Sequence, residues 1–212
     1  SYYGFSPSLL YAMKLEIIHF GGGDMSNCNF YKIRDEHLSK EELFKVLHEK
    51  IIEHGYDNQK LNNIYNFCQS IYGDRKRYSG DDYVTHLLNV SLLLVQMEAE
   101  ESVIYAGMFC DVFRKTNIAI DELKENLPDS VVQILIRLKD YDIEKVGLED
   151  EQCAVLKIAE RLHNMRTIEY MEECERQKRA KETIAIFMPI VKKLQDDKLI
   201  SELNEISINC LK

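Results

Sequence analysis

Apolar residues recur at helical spacing through most of the chain, and the pattern is clearest in one stretch of its second half. Val155, Ile158, Ala159, Leu162 and Met165 are three or four positions apart, so they form one stripe on a helix. The 212 residues include only nine Gly and three Pro. A fold of short strands joined by tight turns needs more of both. The pattern therefore predicts an all-α fold, a bundle of helices around one core.

The same periodicity predicts where the other helices lie. Ser39 and Glu42 have the spacing of a capping box at a helix N-terminus. A nearly continuous apolar run from Val103 to Phe113 predicts the central buried helix. Asp129 and Ser130 are expected to cap a later helix. The remaining helices are predicted at residues 61–71, 83–95, 120–125, 130–138, 151–175, 179–194 and 197–211.

The first 24 residues differ from the rest and are expected to be a short N-terminal extension. Leu15 to Phe20 is compatible with a strand or with a helix end, and Gly21 to Asp24 is typical of a flexible linker. Met25 follows directly and would suit an original start codon. We therefore expect residues 1–24 to be an extension, a linker or a cloning remnant, and residues 25–212 to form one helical domain.

Composition excludes several classes of partner. The net charge of -9 argues against a nucleic-acid partner, because such proteins carry a basic face. The longest apolar runs are too short to cross a membrane. Six cysteines without a CxxC pair, and no signal peptide, favour a reducing compartment over a disulfide framework. We expect a cytoplasmic protein with neither a nucleic-acid nor a membrane partner.

Two polar residues occupy positions where burial is expected. His86 lies one turn inside a predicted apolar helix, and it is either a core histidine or a ligand. Asp111 interrupts the apolar run, and a buried carboxylate requires a cation or several donors. Two kinds of partner remain open for Asp111, a metal ion or a basic side chain. The basic candidates are Arg114, Arg161 and Arg166.

A third polar group lies beside the apolar stripe. Glu160, His163, Asn164 and Thr167 are three to four residues apart, so they share one helix face. A carboxylate, an imidazole and an amide are thus brought together next to a buried seam. The alternative interpretation is that these four residues are ordinary polar side chains on a surface helix.

Four sequence strings occur in an order that resembles a known family. They are Arg77-x-Ser79-Gly80-x-x-Tyr83-x-x-His86, Cys110-Asp111-x-x-x-x-Thr116, the run from Lys157 to Thr167, and the run from Lys181 to Pro189. Over residues 58–195 the chain resembles the hydrolase domain of the RelA/SpoT family, within the HD phosphohydrolase superfamily. The resemblance implies an HD-domain helical bundle. It also implies removal of the 3′-pyrophosphate from the alarmones ppGpp and pppGpp with a manganese ion.

The resemblance assigns the metal site to four positions, two of which are altered. His86 and Asp111 match metal-binding residues of the family. Glu160 stands where the family has an aspartate, and Cys110 replaces the histidine of the His-Asp pair. A thiolate suits manganese poorly, whereas Cys and His are ligands that zinc prefers. We therefore expect manganese or zinc at most, and we favour a site without bound metal.

The carboxylate pair that positions the attacking water in the family is also replaced. Arg114 and Lys115 stand in its place, and cations neither accept a proton nor order water in the same way. They also repel a metal ion. These changes predict lost or altered hydrolysis, with Arg114 and Lys115 contacting phosphates directly. Lys157 is expected to lie on a solvated helix face.

The nucleotide-binding positions are retained. By resemblance, Arg77 would contact the guanine, and Ser79, Asn164 and Thr167 would line the nucleoside pocket. Two function classes follow. One is a regulatory pseudoenzyme that binds a guanosine polyphosphate, a related nucleotide or a protein partner. The other is an active, metal-dependent nucleotide phosphohydrolase with an altered site.

Overall fold

The structure, a computed structural model, describes residues 38–212. Within this range the chain consists of helices joined by turns, together with one isolated antiparallel bridge between Lys76 and Asp82. The predicted all-α fold is thereby confirmed. The predicted extension at residues 1–24 lies outside the described residues, so the division at residue 25 stays a prediction.

The described part of the chain forms twelve α-helices in sequence, with shorter helical turns between some of them. They are α1 (Lys40–Glu53), α2 (Asn58–Tyr72), α3 (Tyr83–Gln96), α4 (Glu101–Gly107), α5 (Val112–Lys115), α6 (Ile120–Asn126), α7 (Asp129–Asp140), α8 (Ile143–Val146), α9 (Glu151–Arg166), α10 (Glu173–Glu182), α11 (Met188–Leu194) and α12 (Asp197–Asn209). Gly147–Glu149 and Ile168–Tyr170 are 3-10 turns, and Thr183–Phe187 is a π-helical segment.

Helix α3 is at the centre of the bundle. It packs against α1, α2, α4 and α9. Leu87, Leu88, Leu93 and Leu94 are fully buried, so α3 is apolar around most of its circumference. Helix α9 crosses it and contributes the apolar stripe from Val155 to Met165, all of which is buried.

The prediction of one central helix from Val103 to Phe113 is wrong. Helix α4 ends at Gly107, and α5 begins at Val112. Between them the amides of Met108, Phe109 and Cys110 donate to carbonyls three residues earlier, which makes a tight turn. An apolar run indicates burial but does not separate one long helix from two short ones. The turn places Asp111 at the N-cap of α5.

Several other boundaries also differ from prediction. Helix α7 begins at Asp129, and its N-cap residue, Pro128, makes no side-chain capping hydrogen bond. The predicted cap at Asp129 and Ser130 is therefore absent. Helix α9 ends at Arg166 rather than near residue 175. Helix α8 was not predicted, because four residues are too few to show a period. The capping box is confirmed: the Glu42 amide donates to Ser39 Oγ, and the Ser39 amide donates to Glu42 Oε2.

No helix within residues 38–212 is both long and apolar enough to span a membrane. The cysteines in this range are all free thiols, which agrees with the expected absence of a disulfide framework there.

The contact between α3 and α4 depends on Gly107. A Cβ atom at this position would lie 2.8 Å from Leu94 Cδ1 and 2.9 Å from Ser91 Oγ. We expect Gly107→Ala to lower the free energy of unfolding by about 1–3 kcal/mol, because the added methyl group overpacks a rigid contact. Urea denaturation measures the change. Ser201→Ala, on the exposed face of α12, is the control and should shift stability by less than about 0.5 kcal/mol. Equal stability of the two variants would contradict a tight contact.

Candidate active site

Glu160 is a buried carboxylate held by two cations. Its side chain is only 8% exposed. Arg114 Nη2 from α5 donates to Oε1, and Lys157 Nζ, one turn earlier on α9, lies 3.0 Å from Oε2. Burial alone would raise the pKa of Glu160, but the attraction of Lys157 and Arg114 outweighs it and leaves the pKa below its usual value. The carboxylate is therefore ionised and paired on both oxygens.

The expectation for Lys157 was wrong. Its side chain is 19% exposed and turned toward Glu160, so it does not lie on a solvated face. Helical spacing puts residues 157 and 160 close together, and the burial of Glu160 makes that pairing favourable.

Asp111 is held by two tyrosines rather than by a cation. Tyr72 Oη donates to Oδ1 at 3.0 Å, and Tyr83 Oη donates to Oδ2. Burial and the nearby Asp111 charge raise the pKa of both phenols, so each remains a donor. The predicted basic partners bind other carboxylates instead. Arg114 pairs with Glu160, Arg161 with Glu182, and Arg166 with Glu202.

Two histidines meet in the interior between α3 and α9. Nδ1 of His86 lies 2.8 Å from Nδ1 of His163, so one ring donates a hydrogen bond and the other accepts it. Nε2 of His86 lies 4.0 Å from Cys110 Sγ. Burial, followed by nearby positive charges, lowers the pKa of His86 well below its usual value. Burial, then the carboxylates Glu160 and Asp111, raises the pKa of the Cys110 thiol.

The predicted metal ligands are brought into one region, but they do not form a metal site. His86 faces His163 and Cys110, while Asp111 is bonded to tyrosines and Glu160 to cations. The Cys110 thiol is also a softer ligand than manganese prefers. Among the residues that the structure describes, no three His, Cys, Asp or Glu side chains converge as ligands. The arrangement therefore does not fit a divalent metal ion.

The predicted nucleotide-binding residues separate into two places. Arg77 Nη2 donates to Thr167 Oγ1 at 2.9 Å, and burial lowers the pKa of Arg77. Ser79 Oγ lies 2.7 Å from Asp81 Oδ2 in the turn before α3. Asn164 instead lines a cavity together with Glu160. Arg77, Ser79 and Thr167 do not line that cavity.

The cavity has a volume of about 410 Å³, which is within the size range of small-molecule sites. Charged side chains from four elements and an apolar wall surround it. It is lined by Arg114, Tyr141, Asp142, Ile143, Glu144, Lys157, Glu160, Arg161, Asn164, Arg179, Glu182, Ile186 and Phe187.

Sequence reasoning missed the roles of Tyr72, Tyr83 and Arg179, and it named His163 without predicting its partner. Tyr72 and Tyr83 bind Asp111, His163 pairs with His86, and Arg179 lines the cavity. Tyr83 lies within one motif and His163 within another, but neither motif showed their partners. Tyr72 is the last residue of α2, and none of the sequence motifs includes it.

Comparison with known sequences agrees with this fold. Residues 65–146 match the HD domain family. The GTP pyrophosphokinase of Brucella ovis is 31% identical over 164 residues, which are 69% of this chain and 22% of that protein. The guanosine-3′,5′-bis(diphosphate) 3′-pyrophosphohydrolase of Aquifex aeolicus is 28% identical over 161 residues, 69% of this chain and 23% of that protein. The chain thus spans about a fifth of the length of the curated relatives it matches.

A solved structure gives the same result for the fold. A metazoan ortholog of SpoT that hydrolyses ppGpp superimposes with a TM-score of 0.55 at 18% sequence identity, over 73% of this chain and 97% of that one. Over residues 65–146 the chain is therefore similar to the HD domain family, and it shares its fold with this SpoT ortholog.

Proposed function

We propose that this HD domain binds a guanosine polyphosphate or a related nucleotide without hydrolysing it. The observation that carries the proposal is the pairing of Glu160 with Arg114 and Lys157. A carboxylate that is paired with a cation on each oxygen attracts a metal ion less strongly, because the two positive charges repel it. The similarity to (p)ppGpp hydrolases supports the choice of nucleotide.

The remaining polar groups also suit binding better than hydrolysis. Attack on a phosphoryl group needs a base within hydrogen-bond reach of the water. Asp111 already accepts from two phenols, and His86 and His163 bond to each other deep in the bundle. Arg114 is 58% exposed and keeps donors that a phosphate can accept from.

Active hydrolysis by an altered site is the second candidate. It is favoured by the presence of His86, Asp111 and Glu160 in one region, as the family resemblance implies. Binding of a protein partner by the same domain is compatible with either function.

The first prediction concerns metal content. Incubated with Mn²⁺ or Zn²⁺ and then desalted, the protein should retain well below one ion per chain, because most of the side chains that would bind it are already bonded to other residues. Elemental analysis measures this. The variant Cys110→His/Arg114→Glu/Lys115→Asp should retain more metal than the wild type. Stoichiometric manganese in the wild type would contradict the proposal.

The second prediction concerns ligand binding. A ligand that binds only the folded state raises Tm, by an amount equivalent to about 2.7 kcal/mol at a hundredfold excess over Kd. We expect ppGpp to raise Tm and Arg77→Ala to remove most of the rise. The matched control is Arg75→Ala, which removes an exposed arginine two residues away and should respond like the wild type. No shift with any guanine or adenine nucleotide would favour an interaction domain instead.

The third prediction concerns turnover. Release of pyrophosphate from ppGpp with added Mn²⁺ should be undetectable, since loss of a general base alone lowers rates by about 10²–10⁴. A coupled phosphate assay with inorganic pyrophosphatase measures the release. Efficient release by the unmodified chain would establish the second candidate and overturn the first.

A further inference from the structure

We propose that the cavity beside α9 is a phosphate-binding subsite in which Arg179 and Arg114 receive a diphosphate group without a metal ion. This inference rests on the proposed function in assuming a phosphorylated ligand. It adds the place where the phosphates bind and a residue, Arg179, that neither the motifs nor the family resemblance pointed to.

Arg179 on α10 is a cation without a partner in the described part of the chain. Its Nε–H is buried and meets no acceptor there, and no carboxylate within residues 38–212 forms an ion pair with it. A buried donor without an acceptor is destabilising. Native structures contain few such groups, so each one requires an explanation. Because Arg179 lines the cavity, an anion bound there could accept from its terminal nitrogens, which form no hydrogen bond or ion pair within residues 38–212.

The neighbouring carboxylates are already bonded to other cations. Glu182, three residues along the chain, accepts from both terminal nitrogens of Arg161. The Arg161 guanidinium also lies over the ring of Phe187, 4.2 Å from its centroid, which fixes it in place. Glu160 is bonded to Arg114 and Lys157. None of these carboxylates neutralises Arg179, so its positive charge can attract a ligand.

Arg114 supplies a second guanidinium to the same cavity. It uses one terminal nitrogen for Glu160, and a guanidinium has five N–H donors in all. Two forked donors on opposite elements suit a diphosphate, whose oxygens spread over two phosphorus atoms. Two guanidinium groups in one cavity make a diphosphate the chemical class that we assign.

The rest of the wall accommodates the organic part of such a ligand. Ile143, Ile186 and Phe187 form an apolar surface, and Asn164 offers an amide. Ile186 and Phe187 belong to the π-helical segment, a distortion that occurs frequently at functional sites.

Asp142 and Glu144, which also line the cavity, do not neutralise the positive charge of Arg179. Asp142 forms an ion pair with Lys145 at 3.0 Å. Glu144 is exposed, so solvent and salt screen its charge.

Titration calorimetry of the full chain with inorganic pyrophosphate, in EDTA and at low salt, tests the subsite. We expect the wild type to bind and Arg179→Gln to bind at least tenfold more weakly. The matched control is Lys178→Gln, which removes the same charge from an exposed position one residue away and should bind like the wild type. Should Arg179→Gln fail to fold, Arg179→Lys keeps the charge, loses the fork and should still bind more weakly. No binding of pyrophosphate, or equal affinity of the Arg179 and Lys178 variants, would overturn the inference.

Binding of ppGpp to the same variants separates this inference from the proposed function. If ppGpp binding is lost in Arg77→Ala but is unchanged in Arg179→Gln, the subsite is wrong and nucleotide binding stands. If pyrophosphate binds through Arg179 while no nucleotide binds, the subsite stands and the proposed function is wrong.

Discussion

The charge balance around Glu160 determines what the centre of this bundle can do. A carboxylate buried on α9 needs positive charge nearby, and the chain supplies it from Arg114 and Lys157. Both cations are part of the chain, so they neutralise the charge of Glu160 without any ion from solution. Asp111 meets the same requirement differently, through two phenolic donors with no formal charge. Both carboxylates thus have their charge balanced by side chains of the protein itself.

The break between α4 and α5 brings these partners together. An uninterrupted helix would continue the direction of α4 beyond Gly107. The tight turn at residues 108–111 instead starts a new helix, with Asp111 at its N-cap and Arg114 one turn later. Gly107 permits the close approach of α4 to α3 immediately before this turn. The geometry of the site thus depends on a glycine that carries no chemical group of its own.

Local spacing predicted the helices well and predicted the site only in part. The capping box at Ser39 and the face shared by Glu160 and Asn164 depend on residues three or four apart, where backbone geometry fixes the neighbours. The partners of Asp111 lie 39 and 28 residues away, and helix packing alone brings them together. Periodicity carries no information about such pairs. It likewise did not show that Lys157 turns inward, since this follows from the burial of Glu160.

An arginine rather than a carboxylate at residue 114 has opposite effects on chemistry and on binding. A carboxylate at this position would order a water and would repel the phosphates of a ligand, so that a metal ion would be needed between them. An arginine attracts the phosphates directly and at the same time neutralises Glu160, which removes a ligand from any metal. Under the proposed function, the loss of hydrolysis and the gain of metal-independent phosphate affinity therefore have one cause. Restoring a carboxylate at residue 114 would have to weaken pyrophosphate binding in EDTA even where it improves metal binding.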